Sequence, residues 1–130
     1  MSDAEPDAVR AANDAFYRAH EERDLDAMAA VWERGPEAVC THPGWPILRG
    51  WDEIAESWRR IFEGPGRNQF LLTNVAVDVR GDAAWVTLEE NLMDLDTVVA
   101  IAATNVFARS SDGAWSMVAH HASPIMPRLG

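Results

Sequence analysis

The sequence predicts an α+β fold, in which three helices cover one face of a mainly antiparallel sheet. Apolar residues recur every three or four positions in the first half of the chain and alternate with polar residues in the second half. The 130 residues are close to the commonest domain size, and they contain no repeat, low-complexity segment or interdomain linker. We therefore expect residues 1–130 to form one domain.

Three amphipathic helices are predicted before the sheet. The first begins after Ser2 or Asp3 and buries a single apolar stripe. Asp24 is a typical N-cap for the second helix, which we expect to continue to Gly35. The third helix begins after Gly50 and stops at the following Gly-Pro-Gly sequence. The spacing of apolar residues places one side of each helix on the sheet.

Strands are predicted on both sides of the third helix. A short extended segment covers residues 38–42, and four longer strands follow from Gln69 onward. Their connections are short: residues 80–82, residues 94–97 and the turn sequence of residues 110–113. Connections of this length predict an antiparallel meander.

The two faces of the predicted sheet differ in side-chain size. Along residues 98–109 the odd positions are bulky and the even positions are small, yet both sets are largely apolar. A sheet with one solvated face alternates apolar and polar residues, so we expect a second copy of the chain to cover the flat face as a homodimer. The same alternation turns Glu90, Asn105 and His121 inward. A one-residue bulge would exchange His121 for His120.

Composition excludes several classes of function. All 11 basic residues are arginines and the net charge is −10, which disfavours nucleic acid and anionic membranes as partners. The absence of lysine excludes Schiff-base chemistry and a phosphate-binding P-loop. Cys40 is the one cysteine, so no disulfide is expected. We expect a cytoplasmic protein, because neither a secretory signal nor a membrane-spanning run is visible. No organic cofactor is expected.

Several short sequences, in this order and spacing, resemble the nuclear-transport-factor-2-like (NTF2-like) superfamily and its bacterial SnoaL-like members. The resemblance extends from about residue 9 to residue 124 and implies a cone-shaped α+β barrel of the cystatin-like kind. It also implies a homodimer and a pocket for a small hydrophobic molecule between sheet and helices. Since the superfamily mixes isomerases, cyclases, hydratases and binding domains, no activity follows from it. The matching sequences are ERDLD at 22–26, THPGW at 41–45, Gly50, NVF at 105–107 and WSMVAHHASP at 115–124.

Comparison with the steroid isomerases of this superfamily tests three positions. Their oxyanion-holding tyrosine corresponds to Phe16, with Tyr17 one step away. Their catalytic aspartate corresponds to His42, and their protonated aspartic acid corresponds to Asn105. All three residues are changed, so steroid isomerase activity cannot be carried over. Histidine can still move protons near neutral pH, and an asparagine amide can donate to an oxyanion.

We expect a catalytic site built around His42. In this hypothesis His42 is the general base or acid, Asn105 orients a substrate oxygen, and Glu90 or His121 sets the tautomer of His42. The residues expected to form the wall of the ligand pocket are Phe16, Tyr17, Trp45, Trp58 and Phe107.

Other interpretations of these residues stay open at this point. The inward polar groups could form a hydrogen-bond cluster that stabilises the core without any ligand. His42, Glu90 and His121 could together bind a metal, although their spacing does not favour it and no metal is predicted. Cys40 could act with His42 as a nucleophile, but a buried cysteine is more commonly a small apolar filler.

Two classes of function fit the sequence. One is an enzyme that isomerises, cyclises or hydrates an apolar, oxygen-bearing compound by proton transfer. The other is a non-catalytic module that binds a ligand or dimerises. The sequence leaves open whether the protein is an enzyme.

Overall fold

Three helices lie on one face of a six-stranded sheet in a computed structural model of the chain, and the predicted α+β fold is confirmed. The structure describes residues 4–65, 68–94 and 97–126. Ser2 and Asp3, where the first helix was expected to begin, lie outside these residues. The helices are α1 (Ala4–Glu22), α2 (Leu25–Val31) and α3 (Trp51–Glu63).

The strands follow the order β2-β1-β6-β5-β4-β3 across the sheet. The last four form the predicted antiparallel meander, whereas β1 runs parallel to β6. β2 has only two residues, too few for an alternation pattern, and it was not predicted. The strands are β1 (Val39–Thr41), β2 (Leu48–Arg49), β3 (Gln69–Arg80), β4 (Ala83–Asp94), β5 (Thr97–Arg109) and β6 (Trp115–Pro124).

The second helix begins as predicted and ends earlier than predicted. The Asp24 carboxylate accepts a hydrogen bond from the amide of Ala27 at 3.0 Å, which is the expected N-cap. The helix stops at Val31 because Trp32 is extended and forms a parallel bridge with Met117 of β6. The expected continuation to Gly35 is therefore wrong: Trp32 leaves the helix to bury its indole in the core.

A bulge in β6 reverses which side chains face the helices. Val106 pairs with Ala119 and Phe107 pairs with Met117, so one residue of β6 has no partner. Beyond this bulge His120 faces inward and is buried, while His121 is exposed. The predicted inward orientation of His121 is therefore wrong, because the strict alternation on which it depended is broken.

The inner face of the sheet carries the core, and the outer face carries small, exposed residues along β5. Along β5 Ile101, Asn105 and Phe107 are buried beneath the helices, as predicted, whereas Ala102 and Thr104 on the other face are exposed. None of the helices within the described residues is both long enough and apolar enough to cross a lipid bilayer.

Candidate functional site

A cavity of about 310 Å³ lies between helices α1 and α3 and the inner face of the sheet. Its polar wall, among the described residues, consists of three histidines, His20, His42 and His120, together with Glu90 and Asn68. The remaining wall is mostly apolar and aromatic and includes Trp45, Trp58, Ile61, Phe70, Leu92 and Ile101. A hollow of this kind, with few polar groups converging in an apolar surround, is typical of small-molecule sites.

Glu90 provides the one carboxyl group among the described residues of this wall. It points inward from β4 and is 4% exposed. The hydroxyl of Tyr17 on α1 donates a hydrogen bond of 2.5 Å to its Oε2. Burial raises the pKa of Glu90 to about 7, and the bond from Tyr17 opposes that rise. The pKa of Tyr17 lies far above its ordinary value because of burial and the neighbouring Glu90 charge, so Tyr17 remains a donor.

Asn105 is fully buried on β5, opposite His120 on β6. Its Oδ1 accepts a hydrogen bond of 2.5 Å from Nδ1 of His120. Its Nδ2 donates to Oδ1 of Asn13 at 2.8 Å and to the hydroxyl of Tyr17 at 3.1 Å. Because protein groups engage both ends of the amide, Asn105 holds Tyr17 and His120. The expected direct contact between Asn105 and a substrate oxygen does not fit this geometry.

His42 follows β1 and packs edge-on against Trp58, with ring centroids 4.6 Å apart. Its Nε2 lies 2.8 Å from Oγ of Ser57, whose hydroxyl donates to the carbonyl of Ile54 at 2.6 Å. Since that hydroxyl proton is already used, Nε2 of His42 carries the hydrogen and Nδ1 carries the lone pair. Ser57 on α3 thus sets the tautomer, rather than Glu90 or His121 as expected.

The three cavity histidines are neutral at neutral pH. Burial lowers the pKa of His42 to about 4, and the nearby His20 lowers it further. Burial likewise lowers the pKa of His20 to about 4 and that of His120 well below its ordinary value. Within the described residues Nδ1 of His20 is buried and has no hydrogen-bond partner. The cavity therefore offers imidazole nitrogens without positive charge.

The aromatic residues predicted for the pocket divide into two groups. Trp45 and Trp58 line the cavity as expected, and Trp45 packs against His42. Phe16 and Phe107 are completely buried and lie in the core instead, where Phe16 supports the rings of Trp58 and His120. Tyr17 contributes only through its hydroxyl, from behind Glu90.

Four of the described polar residues near the site were not singled out in the sequence: Asn13, His20, Ser57 and Asn68. Asn13 and His20 lie on the stripe of α1 that also contains Val9 and Phe16, at intervals of three and four residues. That helical spacing could have identified them.

The alternative chemistries are not supported by the arrangement. His121 is exposed and lies away from the cavity that His42 and Glu90 line, so these three residues do not form a common metal site. Within the part of the chain that the structure describes, no group of three or more histidine, cysteine or acidic side chains is placed to hold a metal ion. The Sγ of Cys40 lies 3.8 Å from Nε2 of His42, but burial raises the pKa of the thiol far above its usual range. Cys40 is thus an apolar filler rather than a thiolate.

Comparison with known proteins agrees with this architecture. The sequence model of the SnoaL-like domain family matches residues 9–127. A crystal structure of a proposed dehydratase of the NTF2-like family from Streptomyces avermitilis is 36% identical, with a TM-score of 0.90 over 98% of this chain and 100% of that chain. A proposed calcium/calmodulin-dependent protein kinase type II association domain from Thiobacillus denitrificans is 40% identical, with a TM-score of 0.83 over 90% of this chain and 94% of that one.

A curated relative extends the comparison to a longer protein. The F-box protein SKIP8 of Arabidopsis thaliana is 30% identical over 119 residues, which are 92% of this chain. The chain spans 50% of the length of that relative. Because the family match covers most of the chain, and the solved relatives share its fold along nearly their whole length, this chain belongs to the SnoaL-like domain family of the NTF2-like superfamily.

Proposed function

We propose that this protein binds a small, uncharged, oxygen-bearing compound in the cavity and catalyses its isomerisation, cyclisation or hydration by proton transfer, without an organic cofactor. The observation that carries the proposal is Glu90: a carboxyl group with a pKa of about 7 in the wall of a mostly apolar cavity. A group whose pKa lies near the working pH can both accept and return a proton, which general acid–base catalysis needs.

A second proton-transferring group is available across the same cavity. His42 and His120 are neutral and line the wall that Glu90 lines. The hydrogen bond to Ser57 leaves Nδ1 of His42 with its lone pair, so His42 can take a proton that develops on the substrate. We assign His42 the role of general acid or base opposite Glu90.

The relative from Streptomyces avermitilis supports this class of reaction. It is described as a proposed dehydratase, and removal of water requires one group to take a proton and another to protonate the leaving hydroxyl. Glu90 and His42 would supply these two functions, and the reverse reaction is a hydration.

The charge and size of the cavity define the class of substrate. None of the described residues that line it is an arginine, so these residues offer no counter-ion to a carboxylate or phosphate. At roughly 30 Å³ for each water-sized group, about 310 Å³ accommodates roughly ten non-hydrogen atoms. An uncharged ring compound with a carbonyl or hydroxyl group fits both conditions.

The proposal is tested by hydrogen exchange into a panel of small cyclic ketones in D₂O, measured by mass spectrometry. The wild-type protein should accelerate exchange next to the carbonyl, and Glu90→Gln should reduce that rate by about 100-fold or more. Glu89→Gln is the matched control, because Glu89 lies next to Glu90 on the other face of the strand. Equal rates for the two variants would overturn the role of Glu90. A wild-type protein that binds the ketones without exchange would support the non-catalytic ligand-binding alternative.

We also propose that the outer face of the sheet forms a homodimer. Small exposed residues, Ala102 and Thr104, occupy alternate positions along β5 and leave this part of the face without long side chains. The relative from Thiobacillus denitrificans supports this, because it is described as an association domain. Analytical ultracentrifugation of Thr104→Arg should show monomer, with Ser111→Arg in the β5–β6 turn as control. Dimers of unchanged affinity in Thr104→Arg would exclude this face.

A further inference from the structure

We infer that Asn105 is a positioning residue: its buried amide fixes the direction of every hydrogen bond between His120 and Glu90 and so determines which atoms of these two cavity residues can accept protons. That His120 and Glu90 act on a substrate rests on the proposed function. The direction of the hydrogen bonds does not.

The network runs from one cavity residue to the other through the buried core. Oδ1 of Asn105 can only accept, so Nδ1 of His120 donates to it across 2.5 Å. Nδ2 of Asn105 can only donate, so the hydroxyl oxygen of Tyr17 accepts across 3.1 Å. Tyr17 then directs its own proton to Oε2 of Glu90 at 2.5 Å. Each bond thus determines the polarity of the next.

Asn13 holds the amide in this orientation. Its Oδ1 lies 2.8 Å from Nδ2 of Asn105 and accepts the second amide hydrogen. Asn13 and Asn105 are 1% and 0% exposed, so water cannot replace the hydrogen bonds that the Asn105 amide makes. An overturned Asn105 amide would face Oδ1 of Asn13 with its own oxygen, two acceptors with no hydrogen between them.

The direction of these hydrogen bonds decides whether His120 and Glu90 can accept a proton from a bound molecule. In the inferred direction Nε2 of His120 carries the lone pair and Glu90 is an acceptor, so both groups can take a proton from a bound molecule. In the reversed network Nε2 of His120 would carry the hydrogen, Tyr17 would donate to Asn105, and Glu90 would need a proton in order to donate to Tyr17. His120 would then present a donor to the cavity instead of an acceptor, and Glu90, already protonated and bonded to Tyr17, could take no further proton.

The surrounding titratable groups come from each element packed on the network. Tyr17 and His20 belong to α1, His42 follows β1, Glu90 is on β4 and His120 is on β6. The three cavity histidines are neutral at neutral pH, so no cation in this set competes with the amide for Glu90 or Tyr17.

The experiment is nitrogen-15 NMR of the histidine side chains in the full-length protein, with His120 assigned by comparison with His120→Gln. In the wild type at pH 8 we expect His120 to carry its hydrogen on Nδ1, with Nε2 unprotonated. Asn105→Asp replaces the amide by a carboxylate that accepts from both Tyr17 and His120. The titration midpoint of His120 should then shift upward, and that of Glu90 should also shift upward because Tyr17 turns away from it.

The matched control is Asn91→Asp, which makes the same change at a residue of β4 whose side chain bonds to β3 instead of the core. It should leave both titrations unchanged. Hydrogen on Nε2 of wild-type His120, or unshifted midpoints in folded Asn105→Asp, would overturn the inference. If Asn105→Asp fails to fold, the wild-type tautomer still decides. The readout needs no substrate, so a correct tautomer combined with full exchange activity in Glu90→Gln would leave this inference standing and overturn the proposed function alone.

Discussion

The hydroxyl of Tyr17 lies 2.5 Å from Oε2 of Glu90 and joins α1 to β4 across 73 residues of the chain. The bond supplies a hydrogen to a carboxyl group that burial has deprived of water, while Glu90 still lines the cavity. Its two partners have opposite roles: Tyr17 remains protonated because its pKa is far above neutrality, and Glu90 changes charge near neutral pH. The first prediction concerns this bond.

Tyr17→Phe removes the donor to Glu90 without changing the size of the ring. Because the Tyr17 bond lowers the pKa of Glu90, we expect the pKa to rise above its value of about 7 in the variant. We also expect a loss of about 1–3 kcal/mol in the free energy of unfolding, the range for a buried hydrogen bond to a charged group. Carbon-13 NMR of the glutamate carboxyls measures the pKa, and urea unfolding measures the stability. A lower pKa in Tyr17→Phe would contradict the role of the bond.

Glu90→Gln should make stability less dependent on pH between about pH 4.5 and pH 7. The pKa of Glu90 is about 7 in the folded state and 4.5 as the ordinary value of the unfolded state. Since the folded pKa is raised, its contribution to stability is fully present below pH 4.5 and is lost as the pH rises through 7. Removing this loss should stabilise Glu90→Gln at pH 8.5 by up to about 3 kcal/mol relative to wild type, with little difference at pH 5.

Urea unfolding at pH 5 and pH 8.5 checks this prediction. Glu89→Gln on the opposite face of β4 is the control and should behave like the wild type at both values. A Glu90→Gln protein that gains no stability at the higher pH would show that Glu90 is solvated in the folded state.

The spacing of apolar residues predicted the fold, because it indicates which side of each helix and strand is buried. The alternation of β3 to β6 and the turns between them were sufficient for the meander. The end of α2 was not predictable in this way, because Trp32 leaves the helix for a bridge with Met117 that is distant in sequence. Tertiary packing there overrides helical spacing.

The candidate site was predicted less completely for a related reason. The alternation along its strand predicted Glu90, and the comparison with steroid isomerases predicted His42. The bulge in β6, however, places His120 rather than His121 on the inner face. A bulge adds one residue to a strand without a composition that marks it, so alternation alone cannot locate it. The connection of Ser57 to His42 also depends on how α3 is placed against the loop after β1, which no local pattern describes.

Arg23, directly after α1, forms hydrogen bonds with the C-terminal end of α3. Its guanidinium donates to the carbonyl oxygens of Phe62 at 3.0 Å and Gly64 at 2.8 Å, which α3 leaves unpaired at its C-terminus. We expect Arg23→Ala to lose about 1–3 kcal/mol in the free energy of unfolding and Arg23→Lys to recover part of this loss, because one nitrogen, Nη1, donates to both carbonyl oxygens and an ammonium can also donate twice. Urea unfolding measures both, with the exposed Arg18→Ala on the same helix as control. Equal stabilities for Arg23→Ala and Arg18→Ala would show that the hydrogen bonds of Arg23 contribute nothing to the free energy of unfolding.

The buried histidines should make the protein sensitive to acid. The pKa of His42 is about 4 in the folded state and 6.5 as its ordinary value, so its contribution to stability is present above pH 6.5 and is lost as the pH falls to about 4. Glu90 acts in the opposite direction over part of this range, but His20 and His120 are shifted in the same direction as His42 and outweigh it. We therefore expect stability to fall steeply between pH 6.5 and pH 4.

His42→Gln isolates the contribution of one imidazole to this acid sensitivity. The variant loses the packing of the His42 ring at every pH, so the informative quantity is the difference between its stabilities at pH 7 and pH 4.5. That difference should be smaller than in the wild type, by up to about 3 kcal/mol, because one fewer buried group must take up a proton on unfolding. His121→Gln removes an exposed imidazole and should leave the difference unchanged. If the two variants showed the same pH dependence, His42 would titrate in the folded protein like a solvated imidazole, which would contradict the burial that lowers its pKa.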